Sequence, residues 1–276
     1  MANIAPYHRT VPGSAGHELA SCTAGPLLSV ITVCRNAGAV IADCIESVRE
    51  QTFTDLEHVI VDGASTDDTA RIISLAHSAN GSRISRCISE PDRGIYDAMN
   101  KAISLASGRY LYFLNADDRL FRPDVVTAIA PMLATGAVDI LCSKILLLDP
   151  VSGVGELFAL PAGLERTSPL YRGIYQQALW TRRDLYAAHG GFDTDLRLCA
   201  DVDWLMRVLN AGARTAASEI LTTIFLQGGA SSDRTTIQRE QRRAERRHYS
   251  LAEWILHKCL RKAALPFDRV ARHLKR

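Results

Sequence analysis

Two adjacent carboxylates, Asp117 and Asp118, follow an apolar segment that ends at Leu114, and their position is typical of a cation site. Hard divalent ions such as Mg²⁺ and Mn²⁺ are held by one or two carboxylates together with substrate phosphates. Such an ion would offset the negative charge of a departing diphosphate. The pair alone leaves an equal alternative, in which it makes a turn or caps the next segment.

A third acid, Asp62, follows another apolar segment in the same way. Short β-branched segments alternate with segments of helical periodicity, which indicates successive β-α units and a parallel sheet. We expect strands at 27–34, 58–62, 84–89 and 110–114, and helices at 40–48, 65–75 and 95–107. Because open parallel sheets bind ligands at the carboxyl ends of their strands, Asp62 and residues 115–118 are expected in one crevice.

The second half of the chain gives weaker signals. An apolar stretch over residues 140–160 predicts strands or a hairpin. A helix is expected at 178–188, followed by a glycine turn at 190–193 and a second helix at 201–211. We find no internal repeats.

Several blocks of the sequence, in order and spacing, resemble the family 2 glycosyltransferases, which have the GT-A fold. These blocks are Ser29-Val30-Ile31-Thr32-Val33, Val61-Asp62-Gly63-Ala64-Ser65-Thr66-Asp67, Glu90-Pro91-Asp92-Arg93-Gly94-Ile95-Tyr96-Asp97-Ala98-Met99-Asn100-Lys101, Phe113-Leu114-Asn115-Ala116-Asp117-Asp118, Gly190-Gly191-Phe192-Asp193, Ala200-Asp201-Val202-Asp203-Trp204 and Gly228-Gly229-Ala230-Ser231-Ser232. The third block most resembles bacterial enzymes that build cell-surface polysaccharides and glycolipids. The resemblance implies an α/β fold: a single Rossmann-like domain over residues 27–233, with a mostly parallel central sheet flanked by helices.

The resemblance also assigns residues to a nucleotide-sugar donor. Asp62 is expected on the nucleotide base, since uracil and thymine offer an N3–H that a carboxylate accepts. Thr32 and Arg35 are expected to line the same pocket through backbone and side chain, and Arg93 to lie beside the nucleotide. Asn100, on the following helix, is expected to face the sugar or the solvent. The alternatives are a helix cap for Asp62 and a surface ion pair with Asp92 or Asp97 for Arg93.

The metal site follows from the same resemblance. Asp117 matches the family's metal-binding carboxylate, and Asp118 is expected as a second metal contact, with Mn²⁺ or Mg²⁺ as the ion. Asn115, Ala116 and Asp117 are expected to contact the donor. The first acid of this motif is Asn115 here, and an amide oxygen still accepts a hydrogen bond, so this change affects donor identity more than metal binding.

Sugar transfer with inversion needs a base that takes the acceptor hydroxyl's proton. Asp201 is the candidate, because it aligns with the Asp of the family's Glu-Asp pair, here Ala200-Asp201; helix capping is its alternative. Asp203 is expected to turn away from Asp201 and to support the site or face solvent. Gln176-Gln177 is expected to border the sugar or acceptor pocket, and residues 228–232 to form a mobile loop over the diphosphate.

The composition indicates a cytoplasmic protein. Hydrophobic residues make up 47% of the chain and charged residues 22%, and no apolar run reaches the ~18–20 residues of a membrane span. Residues 1–26 are rich in Ala, Gly, Ser and Pro and lack the basic start and apolar stretch of a secretory signal, so we expect a disordered leader. The seven cysteines form no C-x-x-C pair, so we expect reduced packing residues rather than disulfides or structural zinc.

Residues 234–276 are expected to be a basic amphipathic helical tail. They hold thirteen Lys and Arg against four Asp and Glu, a net charge of +9, whereas residues 1–233 carry −7. Apolar residues recur at helical spacing at Leu251, Trp254, Ile255 and Cys259. Such a helix suits peripheral contact with the anionic inner face of the cell membrane. The alternative is packing on the catalytic body or on a second subunit of a homodimer. No nucleic-acid-binding module is present.

The sequence therefore predicts an inverting, metal-dependent hexosyltransferase. The donor is expected to be a uridine or thymidine diphosphate sugar, with guanosine less favoured, and the acceptor a hydroxyl of a glycan or lipid-linked intermediate. The alternative is an inactive sugar-nucleotide-binding scaffold, suggested by Asn115 and Ala200. A glycoside hydrolase fits less well, because Asp62 lies at a strand end suited to a nucleotide, and a nicotinamide dehydrogenase would need a Gly-x-Gly-x-x-Gly turn.

Overall fold

The computed structural model describes residues 25–160, 163–171, 173–228 and 233–256. Nine strands occur in this part of the chain: β1 (Leu28–Cys34), β2 (Leu56–Asp62), β3 (Ile84–Ser89), β4 (Tyr110–Phe113), β5 (Arg119–Leu120), β6 (Ile140–Leu148), β7 (Gly155–Phe158), β8 (Leu179–Arg182) and β9 (Thr215–Leu226). The helices there are α1 (Ile41–Arg49), α2 (Thr69–Ser78), α3 (Ile95–Leu105), α4 (Val125–Ala134), α5 (Ser168–Tyr171), α6 (Arg183–His189), α7 (Ala200–Asn210) and α8 (Arg234–His248), with a 3₁₀ helix at Gln176–Ala178.

The strands form one sheet in the order β3-β2-β1-β4-β8-β6-β9-β5, with β7 paired to β6. The predicted α/β class is confirmed, and the parallel pairing expected from the β-α units holds across β3, β2, β1 and β4. Beyond β4 the sheet is mixed rather than mostly parallel, because β8 runs antiparallel to both β4 and β6. The carboxyl ends of the parallel strands share one edge, where the acidic residues lie.

Alternating side chains of β1 build the core on both faces of the sheet. Ile31 and Val33 belong to a cluster on one face that also contains Tyr96 of α3. Leu28 and Val30 belong to a cluster on the other face with residues of α1 and α4. This two-residue period requires both faces to be covered, as in a strand of an α/β sheet, and it explains the continuous apolar sequence of β1.

The structure corrects the helix predicted over residues 178–188. Residues 179–182 are strand β8 and only the following residues form a helix, α6. Trp180 stacks on Tyr112 of β4, with ring centroids 3.9 Å apart, and its Nε1–H donates to Ser143 Oγ of β6. Cross-strand packing therefore overrides the local helical pattern. The hairpin predicted over 140–160 is confirmed by β6 and β7, and the helix predicted at 201–211 by α7.

The first part of the basic tail, α8, packs on the catalytic body. Trp254, just beyond α8, contacts a cluster of Met206, Ala244 and Tyr249, so this part of the apolar stripe follows the packing alternative. Leu251 remains 73% exposed. The predicted leader up to residue 24 and the tail from residue 257 lie outside the described residues. Among the helices of the described segments, none is long and apolar enough to cross a membrane.

Glu57 fixes the amino-terminal end of the parallel strands. Its side chain is 8% exposed and accepts hydrogen bonds from Ser29 Oγ of β1 and Ser85 Oγ of β3, each at 2.6 Å. The N–H of Ser107 and that of Gly108, before β4, also donate to it, at 2.7 and 3.2 Å. Burial raises the pKa of this carboxyl, but the hydrogen bonds outweigh burial, so the net pKa lies below its ordinary value.

We expect Glu57→Ala to lower the free energy of unfolding by about 2–4 kcal/mol at pH 7, because it leaves several buried donors unpaired. The folded-state pKa lies below the unfolded value of 4.5, so the carboxylate's contribution is complete above pH 4.5 and is lost as the pH falls through the folded pKa. Urea unfolding of both proteins at pH 7 and pH 4 measures this. If the free energies of unfolding of the wild type and Glu57→Ala differ by the same amount at both pH values, Glu57 is not ionised in the folded protein.

Candidate active site at the carboxyl ends of the strands

A cavity of about 220 Å³ lies at the carboxyl edge of the sheet. Its walls come from α3, the loop after β4, the segment around the 3₁₀ helix, and the helices α7 and α8. The lining residues are Ile95, Tyr96, Met99, Asn115, Pro169, Gly173, Ile174, Tyr175, Gln176, Gln177, Leu198, Cys199, Asp201, Val202, Phe225, Ile237 and Gln241. The cavity thus contains the predicted base, Asp201, together with Asn115 and the Gln176-Gln177 pair.

Asp201 lies in the first turn of α7 and accepts a hydrogen bond at its Oδ1 from the Tyr96 hydroxyl, 2.7 Å away. Burial raises the pKa of Asp201, and the bond from Tyr96 lowers it in part. Burial and the neighbouring Asp201 carboxylate raise the pKa of Tyr96 well above its ordinary value, so Tyr96 stays protonated and donates. A carboxyl with a raised pKa and one oriented oxygen suits proton transfer. Sequence reasoning assigned no role to Tyr96, although it lies in one of the family-like blocks.

Asp203 is buried, so the structure excludes the alternative that it faces solvent. Its side chain is 2% exposed. Arg207 donates to its Oδ2 at 2.9 Å, and His248 Nε2 lies 3.0 Å and Arg247 3.4 Å from its Oδ1. Burial raises the pKa of Asp203, but the hydrogen bonds and charges of His248 and Arg207 outweigh it and hold the pKa at about 2. This ion cluster joins α7 to α8.

Asp118 is buried, whereas Asp117 is partly exposed. Asp118 is 1% exposed; its Oδ1 accepts from the Leu226 N–H and its Oδ2 from Gln177 Nε2, both at 3.0 Å. Burial and the adjacent Asp117 carboxylate raise the pKa of Asp118 to about 8. Burial also raises the pKa of Asp117. Gln177 therefore connects Asp118 to the cavity that holds Asp201.

The Asp117-Asp118 pair fits a divalent cation. The two carboxyls are adjacent, both pKa values are raised, and burial penalises the negative charge that a cation would stabilise. Since both Asp118 oxygens already accept hydrogen bonds, Asp117 is the better direct ligand. Within the described segments, no three His, Cys, Asp or Glu side chains converge on a common metal position. An ion held here would complete its coordination with phosphate oxygens and water.

Asp62 ends β2, is 1% exposed, and is oriented by two serines. Ser89 Oγ donates to its Oδ2 at 2.6 Å, and both the N–H and the hydroxyl of Ser65 donate to the carboxylate. The helix-cap alternative does not hold, because α2 begins at Thr69 and its N-cap residue is Asp68. Asp62 instead closes a turn, which fixes its carboxylate at the strand end.

The structure brings Arg35, but not the side chain of Thr32, to the surroundings of Asp62. A Cβ on Gly63 would lie 2.1 Å from Asp92 Oδ2 and 3.5 Å from Arg35 Cβ, so this approach requires glycine. Thr32 is 0% exposed, and its hydroxyl lies 2.9 Å from His58 Nε2. The alternation along β1 explains this position, because the Thr32 side chain points to the face that packs on α1, so only the Thr32 backbone can line the expected pocket.

Arg93 and Asn100 do not reach the cavity. The Arg93 side chain is 79% exposed and pairs with Asp97 at 3.1 Å, as in the surface ion-pair alternative. Asn100 Nδ2 donates to the Phe192 carbonyl at 2.9 Å, and Asn100 Oδ1 accepts from the Phe192 N–H at 2.8 Å. Its amide therefore holds the 190–193 turn instead of facing a sugar, because Asn100 lies one helical turn beyond Tyr96 on α3 and meets the Phe192 backbone there.

The remaining predicted residues lie around the same edge. Asn115 lines the cavity, and its carbonyl accepts from the Asp118 N–H at 3.0 Å. Ala116 is buried in a small apolar cluster with Ile41 and Ile60, so only its backbone is placed to meet a ligand. Gly228 has a φ of +105°, and the other residues of the predicted loop, 229–232, lie outside the described residues.

Comparison with known proteins identifies relatives of this arrangement. The model of the family "Glycosyl transferase family 2" matches residues 29–154, which include Asp62 and Asp117. A PGL/p-HBAD biosynthesis glycosyltransferase of Mycobacterium bovis is 31% identical over 219 residues, or 79% of this chain and 83% of the relative. Chondroitin synthase of Escherichia coli is 43% identical over 109 residues, or 40% of this chain and 16% of the synthase.

Two solved structures are similar in fold. TarS 1–349 of S. aureus, in complex with UDP, has a TM-score of 0.62 and 19% identity, covering 72% of this chain and 60% of TarS 1–349. The mannosyltransferase PcManGT of Pyrobaculum calidifontis, with GDP-Man and Mn²⁺, has a TM-score of 0.58 and 21% identity, covering 79% of this chain and 61% of its own. This chain thus spans less than two thirds of either solved protein, and the likeness shows the GT-A fold. The match to the family model and the identity to the mycobacterial enzyme over most of both chains show that the chain belongs to glycosyl transferase family 2.

Proposed function

We propose that this glycosyltransferase moves a sugar from a nucleotide-diphosphate donor to a hydroxyl of a glycan or lipid-linked acceptor, with inversion at the anomeric carbon. The observation that carries the proposal is the cavity in which Asp201 is held by Tyr96 while Gln177 connects the same cavity to Asp118. A proton acceptor and a diphosphate site at one sheet edge are what a displacement reaction needs.

In this mechanism Asp201 takes the proton of the acceptor hydroxyl as its oxygen attacks the anomeric carbon. Tyr96 orients the Asp201 carboxylate through its 2.7 Å hydrogen bond, which leaves Oδ2 for the acceptor. Asp117 would hold a divalent ion, Mn²⁺ or Mg²⁺, with Asp118 behind it. When bound, such an ion neutralises charge on the leaving nucleotide diphosphate. Inversion follows if Asp201 and the diphosphate lie on opposite faces of the sugar.

The donor side is supported by the ligands of the structural neighbours. TarS is known in complex with UDP and with UDP-GlcNAc, and PcManGT with GDP-Man and Mn²⁺. For this chain we favour a uridine or thymidine diphosphate sugar, because the oriented Asp62 carboxylate suits an N3–H donor. Arg35 lies beside Gly63 at the same strand end, where a guanidinium suits a phosphate or a base edge.

The acceptor side is supported by the names of the relatives. A PGL/p-HBAD biosynthesis enzyme and a chondroitin synthase both match this chain, which favours a role in glycolipid or polysaccharide biosynthesis. The apolar part of the cavity wall, with Ile174, Val202 and Ile237, suits an acceptor that is not entirely polar. The scaffold alternative is opposed by the joint presence of Asp117, Asp201 and its tyrosine partner.

We also propose that α8 contacts an anionic membrane surface at the cytoplasmic face. Four arginines of α8 recur at a spacing of three and four residues and are exposed: Arg239, Arg242, Arg243 and Arg246. The buried residues Glu240 and Ala244 lie on the opposite side of the helix. In the described part of the chain, none of these four arginines forms an ion pair. This arginine face, rather than the Trp254 stripe, is therefore available to anionic lipid headgroups.

We expect Asp201→Asn to lower the kcat of acceptor-free donor hydrolysis at least 100-fold, because the amide cannot take a proton. The probe is whichever of UDP-glucose, UDP-galactose, UDP-GlcNAc or GDP-mannose the wild-type protein hydrolyses fastest with Mn²⁺. Tyr96→Phe keeps the base but removes the hydrogen bond that orients it, and is expected to lower kcat by a smaller factor than Asp201→Asn. Nucleotide affinity should stay unchanged in both variants. Turnover by Asp201→Asn at the wild-type rate would remove Asp201 from the mechanism, and no turnover of any donor by the wild type would support the scaffold alternative.

We expect the arginine face to bind vesicles of phosphatidylglycerol and phosphatidylcholine but not of phosphatidylcholine alone. Changing all four of its arginines to Gln should weaken binding by about 1,000-fold, at roughly 1 kcal/mol for each charge. The control changes four exposed arginines elsewhere, Arg71, Arg86, Arg119 and Arg122, to Gln and alters net charge equally. Equal binding loss in both variants, or equal binding to neutral vesicles, would contradict a specific anionic contact. Co-sedimentation at low and physiological salt measures this.

A further inference from the structure

Glu240 of α8 binds the backbone that leads into α7. Its side chain is 7% exposed. Its Oε1 accepts from the N–H of Arg197 at 3.0 Å, and its Oε2 accepts from the N–H of Leu198 at 2.7 Å and of Cys199 at 3.2 Å. One buried carboxylate thus satisfies three consecutive backbone donors. Hydrogen bonds to a charged acceptor are about twice as strong as those between neutral groups.

The segment before α7 has no equivalent support of its own. Cys199 is the N-cap residue of α7 and makes no side-chain capping bond; its thiol donates instead to the Ile237 carbonyl of α8, at 3.4 Å. Ala200, the first residue of the helix, has no polar side chain. The carboxylate that accepts from the N–H groups leading into this helix is therefore supplied by α8, 41 residues further along the chain from Cys199.

Asp201 lies between two attachments of α7 to α8. On its amino-terminal side, Glu240 holds residues 197–199. On its carboxyl-terminal side, Asp203 contacts His248 of α8. The Asp201 side chain meanwhile accepts the Tyr96 hydrogen bond from α3. The position of the Asp201 carboxyl relative to Tyr96 therefore depends on how α8 holds the start of α7.

We propose that Glu240 is a positioning residue for the proton acceptor Asp201. It fixes the backbone of residues 197–199 and so sets the distance from Asp201 to Tyr96 and to the acceptor in the cavity. α8 lines the same cavity through Ile237 and Gln241, so the helix that holds the base also shapes its surroundings. This inference rests on the proposed function, in which Asp201 accepts the proton.

The backbone part of the proposal is tested without any substrate. Amide hydrogen exchange of residues 197–199 is expected to accelerate at least tenfold in Glu240→Ala, because the N–H groups lose their acceptor. Glu245→Gln is the matched control: Glu245 is 1% exposed on the same helix but accepts from Trp254 Nε1. Unchanged exchange at 197–199 in Glu240→Ala, or an equal acceleration in the control, would overturn the proposal.

The catalytic part is tested by a double-mutant cycle with Asp201→Asn, using the same donor hydrolysis. Glu240→Ala alone should lower kcat by about 10- to 100-fold, because small displacements of a reacting group cost this much, and should leave KM for the donor nearly unchanged. In the Asp201→Asn background, Glu240→Ala should lower kcat little further, since both substitutions act through the Asp201 carboxylate. An equal fold-loss in both backgrounds would mean a general structural role and would overturn the proposal.

The variant Glu240→Gln separates the effect of the hydrogen bonds of Glu240 from the effect of its negative charge. Glu240→Gln keeps one side-chain oxygen as an acceptor, which is enough for part of the three-donor contact, and should recover part of the kcat lost in Glu240→Ala. A kcat of Glu240→Gln no higher than that of Glu240→Ala would contradict positioning through these hydrogen bonds. Failure of the proposed function gives a different pattern: Asp201→Asn itself would then turn over the donor at the wild-type rate.

Discussion

Burying a carboxylate costs free energy unless hydrogen-bond donors or a cation replace the water that solvated it. This constraint governs the carboxyl edge of the sheet. Each buried acid accepts at least one hydrogen bond from a distant part of the chain. Asp62 is held by Ser65 and Ser89, and Asp118 by Gln177 and the Leu226 N–H. Asp117 is the exception, since burial raises its pKa and it is partly exposed. The site is therefore prepared for a positive charge next to Asp117.

The same constraint explains why α8 packs on the catalytic body. Asp203 and Glu240 are both buried, and each finds its partner across the contact between α7 and α8. Satisfying these charges fixes α7 on either side of Asp201, so stability and placement of the base come from the same contacts. The outer side of α8 carries the arginine face. One helix thus supports the base and presents positive charge to the surroundings.

The parts of the fold that local periodicity specifies were predictable from the sequence. β1, β2, α3 and α7 follow their patterns, and the acids lie at the strand ends where a parallel sheet places them. β8 was not predictable, because Trp180 is held in the sheet by partners on two strands distant in sequence. Position along α3 decided two site residues: Tyr96 donates to Asp201, whereas Asn100, one turn further along the same face, binds the Phe192 backbone. Glu240 gave no signal, because its partners lie about 40 residues away and are backbone groups.

The most direct test of the account is calorimetric titration of UDP, TDP and GDP into the purified protein, with Mn²⁺, with Mg²⁺ and with EDTA. We expect one diphosphate to bind in the presence of a divalent ion, EDTA to weaken this binding strongly, and Asp117→Ala to abolish the metal dependence. Glu219→Ala, which changes an acid 76% exposed and paired with Lys144, should bind like the wild type. A folded wild-type protein that binds no diphosphate under any metal condition would contradict the central claim.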